Sequence, residues 1–364
     1  MKSLTFGQLW RLMTLQLIAA PLVYMLSPLY VLSGYLGWLA IPAAGLINLS
    51  LAFFSVRLSY AYQGQDWGEY GRRIVGRAPH FLFSSLLLLY CLTIATMCAA
   101  SYSDLFISVY LEGTPTQAML GCFLLCAALA ARSGIRSISL LGDGFFLTVF
   151  ATTLPVLTVL LGKMNYDMTS AFVTHWSATK LIRSTFFAAG WTNDLTLLLL
   201  ILPHFQPVEK PFRKVAAMQA LVISVLLAYW LSGLLLFGPT MAGSIAYPVL
   251  EVVRFISFGE VLENLDPILI AIWSTTLLIK TALLLFMGAR IAMRFSGFKS
   301  HRPLVFALTS FVFIFAYQFS RYPGEFLHWT MQPSFQTFTW LIFLMPALYW
   351  TIAKLRGMPG AGRQ

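Results

Sequence analysis

The sequence predicts an all-α polytopic membrane protein: ten transmembrane helices arranged as two oppositely oriented sets of five. Three observations predict it. Apolar residues make up 59% of the 364-residue chain and charged residues only 10%, against about 25% charged in ordinary globular domains. Apolar runs of about 20 residues, each able to cross a bilayer core of about 30 Å, recur from end to end. Lysine and arginine fall mostly in every second connection, as the positive-inside rule requires. A single transmembrane domain, 1–364, is expected, with no room for a soluble one.

The ten runs lie near residues 8–30, 38–61, 81–110, 116–131, 136–161, 183–205, 214–237, 266–289, 303–320 and 334–353. The first is too long for the h-region of a cleavable signal peptide. Thr5 and Gln8 have capping-box spacing just before it. The polar loop from Tyr62 to His80 fits a short surface helix. In the fourth run Ala118, Cys122, Cys126 and Ala130 recur every four residues, a small-residue stripe where another helix can approach. Cys91 and Cys98 complete the four cysteines. With no histidine near any of them in sequence, no metal site is expected. Trp10, Trp38, Trp176 and Trp329 stand near run ends, where interfacial belts form.

The segment from Pro248 to Phe258 sets Glu251, Arg254 and Ser257 against valine, phenylalanine and isoleucine, the pattern of an interfacial helix. Ser257 and Glu260 repeat the capping-box spacing, and Asp266 before Pro267 is a second start signal. The eighth run then continues to Ala289.

The formal charge of +11 follows from topology rather than from a nucleic-acid partner. With the N-terminus in the cytoplasm, 18 of the 24 lysines and arginines fall in cytoplasmic segments and span ends, five fall outside, and Lys280 lies within a span. Both termini are therefore expected in the cytoplasm.

Five spans per half put the halves, about 1–162 and 181–364, in opposite orientations, the arrangement of inverted-repeat transporters. The first span contains Ala19-Ala20-Pro21. The sixth contains Ala188-Ala189-Gly190 and then Thr192-Asn193-Asp194. Small residues with a helix breaker in both predict broken first and sixth helices around a binding site. The cap-type residues of the sixth predict a second half-helix starting there.

Three ionisable residues fall inside spans: Asp143, Asp194 and Lys280. A charge at the bilayer centre costs about 3 kcal/mol or more, so each needs water, a partner or a task. Lys280 lies ten residues from Arg290, about 15 Å of helix rise. Its side chain snorkels roughly 6 Å and does not reach the inner surface. Either a structural ion pair or a fixed cation in a ligand site would account for it. Asp143, between Gly142 and Gly144, either pairs with Lys280 or is wet. Asp194 and Lys280 together would suit a zwitterion: the carboxylate meets an ammonium group and the lysine a carboxylate. The sequence holds no Ser-His-Asp constellation, metal-ligand cluster or phosphate loop, so neither an enzyme nor a cofactor is expected.

The stretch Tyr247 to Lys280, YPVLEVVRFISFGEVLENLDPILIAIWSTTLLIK, resembles the B subunit of bacterial spore germinant receptors, within the amino acid–polyamine–organocation transporter superfamily. Trp273, the Leu202-Pro203 end of the sixth span, the Leu111-Glu112-Gly113-Thr114-Pro115 turn and the basic C-terminal end extend the resemblance along the chain. It implies a five-plus-five, LeuT-like fold and a nutrient sensor, usually for a free amino acid, in the spore inner membrane. It also implies two partners, a larger membrane-embedded A subunit and a lipoprotein C subunit. Ligand contacts in that family come from the first, third, sixth and eighth spans. The matching positions here are Ala20 and Pro21, Tyr90, Asn193 and Asp194, and Lys280. Thr93 and Met97 share the helix face of Tyr90, and Gly190 belongs to the expected break. This chain departs from the family at Ala19-Ala20-Pro21, where a glycine-rich break is common, and in carrying Asp194 and Lys280. The same fold serves secondary transporters of amino acids or amines, the alternative function.

Overall fold

A computed structural model describes residues 4–255, 266–322 and 328–358. Helix α1 (Phe6–Tyr24) opens on the expected capping box: the Gln8 amide donates to Thr5 Oγ1 at 3.3 Å, and the Thr5 amide to Gln8 Oε1 at 2.9 Å. The first crossing bends by 61° between α1 and α2 (Leu26–Ser33). The bend is at Met25, not at Ala19-Ala20-Pro21, which lies within α1. Pro21 is accommodated, and Pro28 accounts for the later position. It has no N–H for the Tyr24 carbonyl, and its ring crowds that carbonyl.

Helix α3 (Gly37–Ala61) returns, and α4 (Trp67–Val75) is the surface helix expected between Tyr62 and His80. Gly76, at φ 92°, turns the chain into α5 (Arg77–Val109). Helices α6 (Thr116–Ser133) and α7 (Ile135–Leu161) follow. The buried face of α6 is Leu120, Phe123, Leu124, Ala127, Ala128 and Ala131. The stripe expected to receive a helix is turned outward instead, with Cys122 and Cys126 exposed. The leucines and Phe123 offer more apolar area to bury than the small residues do.

A connection holding the single turns 166–170 and α8 (Ala171–Thr174) leads to α9 (Ala178–Thr192). The sixth crossing breaks at Asn193, where φ −99° and ψ 25° leave the helical region. No long half-helix starts beyond it. The chain continues as a 3₁₀ turn (Asp194–Leu197), the one-turn α10 (Leu198–Ile201) and a second 3₁₀ turn (Leu202–His204). Residues 178–204 keep one course as a single crossing. Helices α11 (Pro211–Ser244), α12 (Pro248–Arg254), α13 (Asp266–Ser296), α14 (Arg302–Arg321) and α15 (Pro333–Leu355) complete the chain. The capping box expected at Ser257 and Glu260 lies outside the described residues.

Among the described residues, nine helices are long and apolar enough to cross a membrane, or ten with α1 and α2 taken as one bent crossing. Successive crossings run in opposite directions, so α4, the start of α5 and the end of α13 share one end of the bundle. That end carries most of the arginines and is called the basic end below. Crossings one and six form the centre. Of the most apolar window in residues 178–204, 83% is buried, against 11% for α7. Every residue of α1 from Leu12 to Tyr24 is buried, Thr14 and Gln16 included. A parallel bridge, Leu4 to Phe205, ties the start of crossing one to the end of crossing six.

Candidate functional site

The break in crossing six is held from the side. The Asn48 amide on α3 donates to the Ala189 carbonyl at 3.2 Å and to Thr192 Oγ1 at 2.7 Å. Both acceptors belong to the last turn of α9, whose carbonyls have no partner further along the chain. Asp194 opens the 3₁₀ turn that follows and is 3% exposed. Lys280 projects from α13 and is 1% exposed. Their side chains form a buried ion pair, Lys280 Nζ to Asp194 Oδ2.

Three further hydrogen bonds complete the pair. Gln16 Nε2 donates to Asp194 Oδ2 at 3.0 Å, and the Tyr90 hydroxyl donates to Oδ1. Lys280 Nζ also donates to the Gln16 carbonyl at 3.2 Å. Both carboxylate oxygens are thus satisfied, as burial of a charge demands. Gln16 Oε1 is buried without a partner among the described residues.

Around the pair, Ala20, Tyr90, Ile94, Gly190, Trp191, Phe335 and Thr339 enclose a cavity of about 10 Å³. That is the space of one water, far below the roughly 300 Å³ of a small-molecule pocket. Trp191 stacks on Tyr24 at 5.3 Å and packs against Phe335 at 5.8 Å. A cavity lined by Leu22, Trp273 and Thr276 adds about 20 Å³.

The basic end is open by contrast. A vestibule of about 700 Å³ is lined by Trp67, Phe81, Leu200, Phe286, Phe295 and the arginines 72, 77, 290 and 294, among others. Phe286 is six residues from Lys280, about 9 Å of helix. Asp66 bridges the mouth. It accepts from the Gly68 amide at 2.9 Å, from Arg290 at 2.7 Å and from Arg294 at 2.9 Å. Burial alone would raise the Asp66 pKa, but the Gly68 amide and the two guanidiniums outweigh it and hold the carboxyl below its ordinary value.

A family model for spore germination proteins matches residues 3–322. The chain belongs to the spore germination protein family. A curated relative, spore germination protein XB of Bacillus anthracis, is 23% identical over 209 residues. That match spans 56% of this chain and 56% of the relative, so about half of each is compared. A solved structure, MhsT in complex with L-phenylalanine, superposes with a TM-score of 0.64 at 10% identity, covering 96% of this chain and 90% of that one. The likeness shows the LeuT-like, five-plus-five fold. The chain is a germination-related, permease-like, multi-pass membrane protein.

Within this spore germination protein, the candidate residues divide. Ala20, Tyr90, Gly190, Asp194 and Lys280 come together around the small cavity. Pro21, Thr93, Met97 and Asn193 do not line it. Pro21 is buried within α1, and Met97 is buried with its carbonyl accepting from the Tyr24 hydroxyl. Asn193 is fully buried, and its amide oxygen and nitrogen have no hydrogen-bond partner among the described residues. Asp143 pairs not with Lys280 but with Arg11 at 2.6 Å and Gln8 at 2.9 Å. Gly142 brings α7 onto α1 there: a Cβ on it would stand 3.3 Å from Leu12 Cα. Gln16, Trp191, Phe335 and Thr339 were not expected at the site. Gln16 had a signal, an amide in mid-span. Trp191, Phe335 and Thr339 had none beyond span membership.

Proposed function

We propose that this chain is the ligand-sensing membrane subunit of a spore germinant receptor, and that its ligand is a free amino acid or similar small zwitterion. One observation carries the reading: a buried Asp194–Lys280 pair at the break of crossing six, with room for only a water beside it. A ligand fits if the pair parts. Its ammonium group then takes the place of Lys280 on Asp194, and its carboxylate takes the place of Asp194 on Lys280. Charge and hydrogen bonds balance before and after, so the exchange avoids an unpaired buried ion. The two arrangements are two states of one bundle, and ligand shifts their populations.

In this reading the basic end, with both termini, faces the cytoplasm, and the membrane is the spore inner membrane. The partners are a larger membrane-embedded A subunit and a lipoprotein C subunit. The repeat halves are about 1–162 and 181–364, and Asn193, which lacks partners among the described residues, supplies polar contacts once the site widens.

Secondary transport of amino acids or amines is the second reading. The vestibule at the basic end favours it, because a release route is what transport requires. The likeness to a structure described as a complex with L-phenylalanine adds support. Thermal-shift screening of the purified chain against the twenty amino acids tests for binding, and uptake of the hits into proteoliposomes separates the readings. Saturable stabilisation without uptake supports sensing, and sustained uptake supports transport. Absence of any stabilisation, with the chain folded, would sink both.

A further inference from the structure

The arginines of the vestibule outnumber their partners. A second cavity of about 370 Å³ adjoins the 700 Å³ one, sharing Arg72, Arg77 and Arg294 and adding Arg73 and Glu69. Five guanidiniums therefore meet two carboxylates, Asp66 and Glu69, leaving three positive charges. Asp66 and Glu69 are both committed to α13, through Arg290 and Arg294. Arg72, Arg73 and Arg77 have no carboxylate within ion-pair distance among the described residues. The core of the cavity is apolar, with Trp67, Leu200, Phe286 and Phe295. At its rim Phe81, 58% exposed, packs on Phe295 at 4.7 Å. Phe81, exposed near the start of α5, thus gives the vestibule an apolar edge.

We propose that this vestibule is a binding site for a phosphate-bearing anion with an apolar body, independent of the Asp194–Lys280 site. Guanidinium forks match phosphate oxygens bidentately, and a surplus of three charges suits a ligand with several anionic oxygens. Basic pockets between membrane helices recognise phospholipid headgroups by this chemistry. The Phe81–Phe295 rim gives an acyl chain a route out of the pocket, so an anionic lipid is one source. A soluble organic phosphate arriving through the open mouth is the other.

The test uses the full chain purified in neutral detergent. Thermal unfolding is followed while phosphatidylglycerol, glycerol 3-phosphate or phosphatidylcholine is titrated, for the wild type and for Arg72→Gln/Arg77→Gln. Neither arginine has an ion-pair partner to lose, so the variant should fold. Arg183→Gln/Arg321→Gln, away from the basic end, is the charge control, and Arg72→Lys/Arg77→Lys keeps charge without the fork. Saturable stabilisation by phosphatidylglycerol or glycerol 3-phosphate is expected, weakened tenfold or more in the glutamine variant, partly in the lysine variant and not in the control. Response to the lipid alone assigns the headgroup, and response to glycerol 3-phosphate assigns the soluble source. No response to either, or equal responses in wild type and glutamine variant, overturns the proposal. An equal response to phosphatidylcholine overturns it too, because charge would then not be what is read. The fate of the amino-acid screen does not affect this outcome.

Discussion

The Asp194–Lys280 pair makes an energetic prediction that separates it from an ordinary surface ion pair. Asp194→Asn leaves Lys280 charged, 1% exposed, and with the Gln16 carbonyl at 3.2 Å as its remaining strong acceptor. Removing one partner of a buried pair costs about 3–5 kcal/mol. Lys280→Met leaves Asp194 with two of its three donors, Tyr90 and Gln16, so its cost belongs at the low end, about 3 kcal/mol. In Asp194→Asn/Lys280→Met no charge is left. The Asn oxygen can still accept from Tyr90, its amide nitrogen can donate to Gln16 Oε1 once that amide turns over, and Met fills much of the lysine volume. Replacing a whole buried pair is often neutral or stabilising by about 1–4 kcal/mol. The double variant should thus be near wild type, so the coupling energy between these two touching positions equals the summed single costs, about 6 kcal/mol or more. Unfolding of the four proteins in mixed micelles of graded SDS content measures it. Additive single costs, or a double variant worse than either single, would refute the reasoning. The folded double variant should also lose the ligand response completely, which separates a site residue from a structural one.

Further outcomes follow from the same geometry. Tyr90→Phe removes the hydroxyl donor to Asp194 Oδ1 and should cost about 1.5–3 kcal/mol, the value of a hydrogen bond to a charged group, read by the same SDS titration. Asp143→Asn touches a pair whose Arg11 side chain is 38% exposed, so it should cost about 1 kcal/mol or less and leave ligand response intact, unlike Asp194→Asn. Asp66→Asn frees Arg290 from the start of α4 and leaves Arg294 only its longer contact to Glu69, at 3.7 Å, and trypsin should then cut at Arg72 and Arg73 faster. The Asp66 carboxyl is held below its ordinary value of 3.8. Its contribution is therefore present above pH 3.8 and lost only as pH falls through the lower folded value, so trypsin sensitivity of the wild type should be flat from about pH 5 to 8. Finally, an amine lacking the carboxylate would leave Lys280 unpaired. At about 3 kcal/mol it should bind at least a hundredfold more weakly than the matching amino acid in isothermal titration.

The span layout was legible because bilayer thickness imposes run length and loop charge imposes direction, and both are written in composition. The α4 helix and the Thr5–Gln8 cap were legible because their interactions are local. The bend was misplaced because it depends on which proline the surrounding bundle tolerates. Both Pro21 and Pro28 lie in buried turns, but the helix continues past Pro21 and bends where Pro28 leaves the Tyr24 carbonyl without its N–H. Asp194 and Lys280 stood out because a buried charge is costly wherever it falls. Their joining follows from opposite charge, and the depth of Asp194 beyond the expected break favours it over Asp143, which by residue count lies nearer the inner end. What separated the two acids is tertiary. Gly142 draws α7 onto α1 beside Arg11, and Asn48 holds the turn that aims Asp194 at α13. Trp191, Phe335 and Thr339 carry no charge and break no pattern, so position alone assigns them to the cavity wall.

Helix α13 joins the central pair to the basic end. It carries Lys280 at mid-span and Arg290 and Arg294 at its end, ten and fourteen residues on, or about 15 and 21 Å along one helix. Both arginines hold Asp66, which caps α4 through the Gly68 amide. A helix packed along its length moves as a body rather than flexing locally. On the proposed exchange, Lys280 must withdraw from Asp194 to admit a ligand carboxylate. Any displacement of α13 that achieves this is felt at Asp66 and so at α4, a helix on the surface rather than in the core. The same displacement reshapes the vestibule that Arg290 and Arg294 line. A sensor needs such a link from a closed chamber to an exposed element. A transporter needs only that the chamber open at each end in turn, so the Asp66 contact to α4 is the feature that the sensing reading uses and the transport reading leaves without a task.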